Sequence, residues 1–234
     1  MINIVSALIP KSIKQKLKSF AVRKYYNNWY EDFLQNRVNA ESHIPKLQLK
    51  QKHIENLQIL LDREVLLQKM PKHAVIAEIG VDQGEFSQMI LNSTSPGKLH
   101  LIDAWGDSSR YHDGLKLKVE TMFKTQINTG QVEINPGLST DVLVGFPDNY
   151  FDWVYLDTAH TYPVTSAELA ILKNKVKSNG IIAGHDYTVG NWVGDCRYGV
   201  IEAVHELCVK EDWEIIYLTM ETHQFRSFAI RKIK

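Results

Sequence analysis

Two short polar clusters carry most of the chemistry this sequence offers. Asp157, His160 and Tyr162 lie in LDTAHTY (156–162), and His185, Asp186 and Tyr187 lie in GIIAGHDY (180–187). Carboxylates and imidazoles gathered from two segments suit removal of a proton from an acceptor or capture of a divalent cation. Asp157 and Asp186 supply the oxygen donors that Mg2+ takes, while His185 tilts the preference toward Mn2+, Zn2+ or Fe2+. The expected metal ligands are therefore Asp157, His185 and Asp186. The expected catalytic residues are Asp157 and His160, the latter as base or as a third ligand.

A third cluster reads Glu78-Ile79-Gly80-Val81-Asp82-Gln83-Gly84-Glu85. Its glycines let the backbone turn sharply and approach a ligand closely. The dinucleotide fingerprint G-x-G-x-x-G is absent, as is a G-x-x-x-x-G-K-[ST] phosphate loop. Glu78, Asp82 and Glu85 together repel a pyrophosphate but suit a ligand carrying an amine and a positive sulfur. That chemistry points to S-adenosylmethionine. Farther on, Asp103-Ala104-Trp105 offers a carboxylate for both ribose hydroxyls and an indole to cover the adenine.

These side chains converge only if their segments end side by side. Strand signals at 74–80, 98–105, 132–137, 151–157, 180–186, 213–219 and 227–233 alternate with helical stretches at 84–91, 114–128, 139–145, 163–176 and 198–210. A further helix is expected over 46–69, ending ahead of Met70-Pro71. Such alternation implies βαβ units and a mainly parallel, Rossmann-like α/β sheet of seven strands with helices on both faces. Only seven residues separate the last two strands, too few for a helical crossover, so the last strand is expected to run antiparallel. Neighbouring parallel strands end ~4.8 Å apart, close enough for 151–157 and 180–186 to share one site.

The 234 residues carry 27 bases and 27 acids, which gives no support to a dedicated nucleic-acid binder. Cys196 and Cys208 form no CxxC pair. No apolar run is long enough to span a membrane, and the apolar start MINIVSALIP precedes its positive charges, the wrong order for a secretory signal. A cytoplasmic location is the expectation. Residues 1–45 hold a net charge of +4 and residues 46–234 a net of −4. All six charges before Tyr25 are positive, among Ile9, Ile13, Leu17 and Phe20 at helical spacing, and Tyr25, Tyr26, Trp29, Tyr30 and Phe33 follow. We read 1–45 as a basic, aromatic helical extension and 46–234 as the catalytic domain. The extension suits a homo-oligomer contact or peripheral contact with a membrane surface.

The run E-x-G-x-x-x-G after a first strand, then L-I-D-A-W, resembles the class I S-adenosylmethionine-dependent methyltransferases. LDTAHTY with GIIAGHDY is similar to the macrocin O-methyltransferase type of sugar methylases, whose relatives are often found near polysaccharide or natural-product genes. The resemblance covers roughly residues 70–233. It implies a seven-stranded sheet with its last strand inserted antiparallel. It also implies that Glu78, Gly80, Val81 and Gly84 line the amino-acid end of the cofactor. Asp103, Ala104 and Trp105 would hold the ribose and adenine, Leu138-Ser139 would border the adenine, and Asp157 would lie against the cofactor. Catechol-type and macrocin-type enzymes place a divalent metal between acids at these strand ends; His185 departs from that pattern. Ser139 also stands where a helix N-cap is expected.

The acceptor pocket is expected from the loop at 187–198, with Tyr187, Trp192 and Arg197 joined by Tyr162, and from GDSSRYHD (106–113) as the opposite rim. Aromatic faces with polar neighbours suit a sugar or phenol. The reading is O-methylation of a hydroxyl on a small or glycosidic acceptor, with S-adenosylmethionine as donor and Mg2+ or Mn2+ assisting. Two alternatives stand beside it: a protein of the same fold without turnover, bound to a partner or membrane surface, and a Rossmann-type oxidoreductase, which the missing glycine fingerprint disfavours.

Overall fold

The structure, a computed structural model, describes residues 11–106, 114–191, 196–221 and 225–234. Trp192 and the rim expected at 107–113 lie outside the described residues. The chain divides into two compact units, Met1–Pro45 and Lys46–Lys234.

The first unit contains one helix, α1 (Lys11–Ser42), uninterrupted by glycine or proline. The apolar spacing that starts at Ile13 and Phe20 does not continue along it. At 100° per residue, Val22, Tyr26, Trp29 and Phe33 fall about half a turn round from that first stripe. The rings on this second stripe and beside it stack along the helix, Trp29 on Phe33 at 5.5 Å and Tyr26 on Tyr30 at 6.2 Å. The amphipathic helix expected at the start is thus confined to its first turns.

The second unit is an α/β fold. In chain order it comprises β1 (Gln58–Leu60), α2 (Arg63–Lys69), β2 (Val75–Ile79), α3 (Glu85–Thr94), β3 (Lys98–Asp103), α4 (Gly114–Met122), α5 (Lys124–Asn128), β4 (Val132–Pro136), α6 (Ser139–Val144), β5 (Phe151–Leu156), α7 (Tyr162–Lys175), β6 (Val176–Gly184), β7 (Gly190–Asn191), β8 (Cys196–Arg197), α8 (Val200–Glu211), β9 (Trp213–Thr219) and β10 (Phe228–Lys232). Among the described residues eight strands form the main sheet, in the order β1-β9-β10-β6-β5-β2-β3-β4. β10 runs antiparallel to β9, as the short connection requires, and inserts between β9 and β6, as the resemblance implies. Every other pairing in the sheet is parallel.

The expected seven strands become eight because β1 sits inside the stretch read as a helix over 46–69. A one-turn 3-10 helix (Gln51–His53), β1 and α2 replace that helix. The open edge of β9 at Tyr217–Thr219 leaves backbone groups to be paired, and Gln58–Leu60 pairs with them in parallel register. Asp62 then starts α2 afresh, its carboxylate accepting from the Val65 amide. The helix expected over 114–128 is also divided, at Phe123, which is fully buried. β6 begins at Val176, earlier than expected, with an irregular register between its pairings to Phe151 and Trp153.

Both faces of the sheet are covered, which is why β5 reads as an almost continuous apolar run. Trp153 and Tyr155 join one core with Leu66, Ile90, Leu99 and Phe123. Val154 and Leu156 join the other with Leu169, Leu172, Val204 and Leu207. Each such fully buried side chain contributes about 1.5–3 kcal/mol. These two layers hold the carboxyl ends of β2, β3, β5 and β6 in line, and the polar clusters sit at those ends.

Candidate active site

The glycine loop begins where β2 ends. Gly80 takes φ +88°, and its amide donates to the Ile102 carbonyl at 2.8 Å. The Asp157 amide donates to the Ile79 carbonyl at 2.7 Å, drawing the end of β5 against the same turn. A Cβ on Gly80 would lie 1.9 Å from the Asp157 carbonyl oxygen. Gly84, at φ +82°, is the N-cap of α3. The loop therefore binds two strand ends together through backbone contact.

Asp103 braces this loop from β3. One carboxylate oxygen accepts from the Val81 and Asp82 amides at 2.7 and 3.0 Å, and the other accepts from the Trp105 amide at 2.8 Å. The Trp105 indole donates to the Asp82 carbonyl at 3.1 Å, so the ring lies against the loop. A carboxylate offers roughly four acceptor sites, so about one is left for a ribose hydroxyl where two were expected. Asp103→Ala is expected to weaken S-adenosylhomocysteine binding by at least roughly tenfold. It should also lower the melting temperature, because three amides lose their acceptor; an unchanged affinity in calorimetric titration removes Asp103 from the ribose site.

Glu78 was expected against the ligand's amino-acid end, but it is 1% exposed and accepts the Ser87 hydroxyl of α3. Burial, with the Asp157 and Asp103 charges adding to it, pushes its carboxyl well above the usual carboxylate range. It locks α3 onto β2. Ser139 is not the N-cap of α6, which is Leu138 with no side-chain cap. Its hydroxyl instead donates to Glu168 at 2.5 Å. Glu168, fully buried on α7, also accepts from the Thr158 hydroxyl at 2.9 Å and so ties the end of β5 to α6.

The second half of the site gathers the two polar clusters. His160 and Asp186 both take φ +57°, which turns their side chains toward each other. His160 Nδ1 lies 2.8 Å from Asp186 Oδ2. His185 Nδ1 lies 3.4 Å from Asp186 Oδ1 and 3.6 Å from Asp157 Oδ2. Asp157, His160 and Asp186 each bring one donor atom to within 4.8 Å of the others. Two carboxylate oxygens and an imidazole nitrogen are a donor set that fits a divalent cation. The grouping joins His160, expected as base or third ligand, to the two acids. His185, expected as a ligand, also lies beside both acids; it is 11% exposed, and among the described residues its Nε2 has no hydrogen-bond partner.

These groups bias one another's protonation. Burial disfavours the Asp186 carboxylate, but the hydrogen bonds from His160 and His185 outweigh that and hold it well below its ordinary 3.8. Burial lowers His185, yet the Asp186 hydrogen bond and the Asp157 charge win and raise it above 6.5. Burial first, then the Asp186 charge, raises Asp157. A depressed acid contributes stability that is complete above its unfolded pKa and lost as pH falls; a raised histidine contributes stability complete below its unfolded pKa and lost as pH rises. The His185–Asp186 pair thus stabilises most between pH 3.8 and 6.5. With chelator present, the melting-temperature gap between wild type and His185→Gln should peak in that window and shrink above it. A gap that widens steadily toward high pH contradicts this pairing.

Three expected acceptor contacts are engaged elsewhere. The Tyr162 hydroxyl donates to Glu206 of α8 at 2.6 Å. The Tyr187 hydroxyl lies 2.7 Å from His205 Nε2, and burial raises its pKa. Arg197 pairs with Glu202. Tyr162 thus ties the start of α7 to α8, and Tyr187 and Arg197 fix the loop after β6 to α8. Among the described residues Tyr198 packs beside His160: it is 7% exposed, with its centroid 4.9 Å from that of His160 and 5.7 Å from that of Phe225. Sequence reasoning missed Glu168 and Arg63 of α2, since an acid inside a helix and an arginine in a misread helix carry no local signal.

The fold is the α/β Rossmann-like fold of the methyltransferases, with a mostly parallel central sheet. Residues 77–187, which hold the glycine loop and both polar clusters, match a family model described as a methyltransferase domain. No curated protein matches the sequence. Among solved structures, the pyocyanin biosynthetic protein PhzM aligns with a TM-score of 0.55 and 13% identity, over 74% of this chain and 55% of PhzM. A Streptococcus mutans protein described as a methyltransferase and solved with S-adenosylhomocysteine aligns at 0.52 and 12%, over 73% of this chain and 96% of that one. An O-methyltransferase family protein from Burkholderia thailandensis aligns at 0.53 and 8%, over 73% and 55%. The chain thus spans about half the length of PhzM and of the Burkholderia protein. Among the described residues no helix is long and apolar enough to cross a membrane.

Proposed function

We propose that this chain methylates a hydroxyl of a small or glycosidic acceptor, with S-adenosylmethionine as donor and Asp157, His160 and Asp186 as the centre that handles the acceptor. The observation that carries the reading is the convergence of those three side chains, within 4.8 Å of one another, at the strand end that Gly80 holds against the glycine loop. A donor bound at that loop supplies an electrophilic methyl carbon on a sulfonium. Aligning the acceptor oxygen in line with it is worth roughly 7–11 kcal/mol of barrier. An aliphatic hydroxyl scarcely ionises near neutrality, so its proton must be taken or its oxygen polarised.

Asp157, His160 and Asp186 would hold a divalent cation, and the mixed oxygen and nitrogen set fits Mn2+ better than Mg2+. Such a cation would supply Lewis acidity toward the acceptor oxygen. His185, close to both carboxylates, would help keep them in position or add a further nitrogen donor. A second reading follows from the 2.8 Å contact between His160 Nδ1 and Asp186. That contact fixes the tautomer and leaves Nε2 free to accept the acceptor's proton without any metal. The polar centre beside the packed Tyr198 ring suits the macrocin-type branch; the O-methyltransferase family description of the Burkholderia neighbour is consistent with oxygen as the acceptor atom.

Calorimetric titration with S-adenosylhomocysteine, with and without Mn2+ or Mg2+, tests both parts. Micromolar binding supports the donor, and absence of binding under every condition removes it. A melting temperature that rises with Mn2+ favours the cation; activity that persists in chelator favours the His160–Asp186 pair.

A further inference from the structure

Arg63 opens α2, and its position is set by its surroundings. The Asp62 carboxylate caps the helix through the Val65 amide, and the Glu221 carboxylate accepts from the Arg63 amide at 2.9 Å and from the Thr219 hydroxyl at 2.5 Å. The Asp62 and Glu221 carboxylates thus accept from backbone amides and a hydroxyl. Its guanidinium lies over the Phe86 ring of α3, 4.8 Å from the centroid, and among the described residues it makes no ion pair. Stacking uses the face of a guanidinium and leaves its in-plane N–H groups available.

The surroundings give this cation a purpose. Phe86 lies two residues past Gly84, and its ring packs 4.2 Å from that of Tyr155 on β5. The Arg63 charge acts on Glu78, Asp157 and His185, at the ends of β2, β5 and β6. An arginine stacked on Phe86, with no ion pair among the described residues, therefore stands near strand ends whose other titratable groups are mostly acids. Acids can meet the ammonium and the sulfonium of the donor, but they repel its carboxylate. A planar fork of N–H donors is the matching partner for that group.

We propose that Arg63 anchors the carboxylate at the amino-acid end of the donor. This rests on the S-adenosylmethionine reading above and names the group of that ligand which the glycine loop and its acids leave unmatched. A carboxylate on the acceptor would satisfy the same fork, and the experiment separates the two sources.

Wild type, Arg63→Met and Arg63→Lys are titrated calorimetrically with S-adenosylhomocysteine and with adenosylthiopropylamine, its analogue lacking only the carboxylate. Methionine keeps an apolar stem on Phe86 and removes the fork. The expected result is a loss of roughly tenfold or more in S-adenosylhomocysteine affinity for Arg63→Met, a smaller loss for Arg63→Lys, and analogue affinity that is unchanged or improved. Unchanged S-adenosylhomocysteine affinity in Arg63→Met overturns the assignment and leaves an acceptor carboxylate as the fork's partner. Equal losses for both ligands overturn it too, because the substitution has then acted through the loop. Failure of wild type to bind either ligand is a different outcome, since it removes the donor reading itself.

Discussion

Gly80→Ala is expected to lower the melting temperature by on the order of 10 °C and to remove S-adenosylhomocysteine binding. Two costs add at this position. The residue sits at φ +88°, where a side chain is strained, and its Cβ would fall 1.9 Å from the Asp157 carbonyl oxygen. The neighbour is backbone at the end of a central strand, so it cannot swing aside as a flexible side chain would. Collision and strain together should destabilise by about 3–5 kcal/mol. Gly130→Ala is the control, because Gly130 has φ +77° with nothing within 4 Å of its would-be Cβ. It carries the strain without the collision, and should cost about 1–2 kcal/mol. Equal shifts for the two variants in thermal denaturation would mean that the loop does not press on β5 as described.

The second large effect concerns chemistry. Once an acceptor is in hand, His160→Gln should lower kcat by roughly 10²–10⁴-fold while leaving S-adenosylhomocysteine affinity nearly unchanged. His160 touches Asp186 and Tyr198, and no described contact ties it to the glycine loop. Asp157→Asn combined with Asp186→Asn should abolish any thermal stabilisation by Mn2+, because two of the three converging donors lose their charge. If the double variant keeps the full Mn2+ shift, the cation binds elsewhere and the His160–Asp186 pair remains as the base. If His160→Gln keeps its turnover, neither role belongs to His160.

Local pattern was enough for much of this protein. The alternation of apolar strands and helices, the short link before β10 and the glycines after β2 are properties of neighbouring residues, and the sheet direction, the antiparallel last strand and the loop follow from them. The acids at the ends of β3, β5 and β6 were legible for the same reason, since a strand's end marks where its next polar residue must sit. Partner choice was not legible. β1 exists because the edge of β9, more than 150 residues later in the chain, needed a neighbour, and a short strand with no strong period cannot announce that. His160 and His185 both reach Asp186, from two segments that meet only in the folded chain. Tyr162, Tyr187 and Arg197 read as acceptor contacts by type, yet α8 supplies Glu206, His205 and Glu202 to engage them. Residue type and spacing establish which chemistry is available; only contacts between distant segments decide which side chains are left free to perform it.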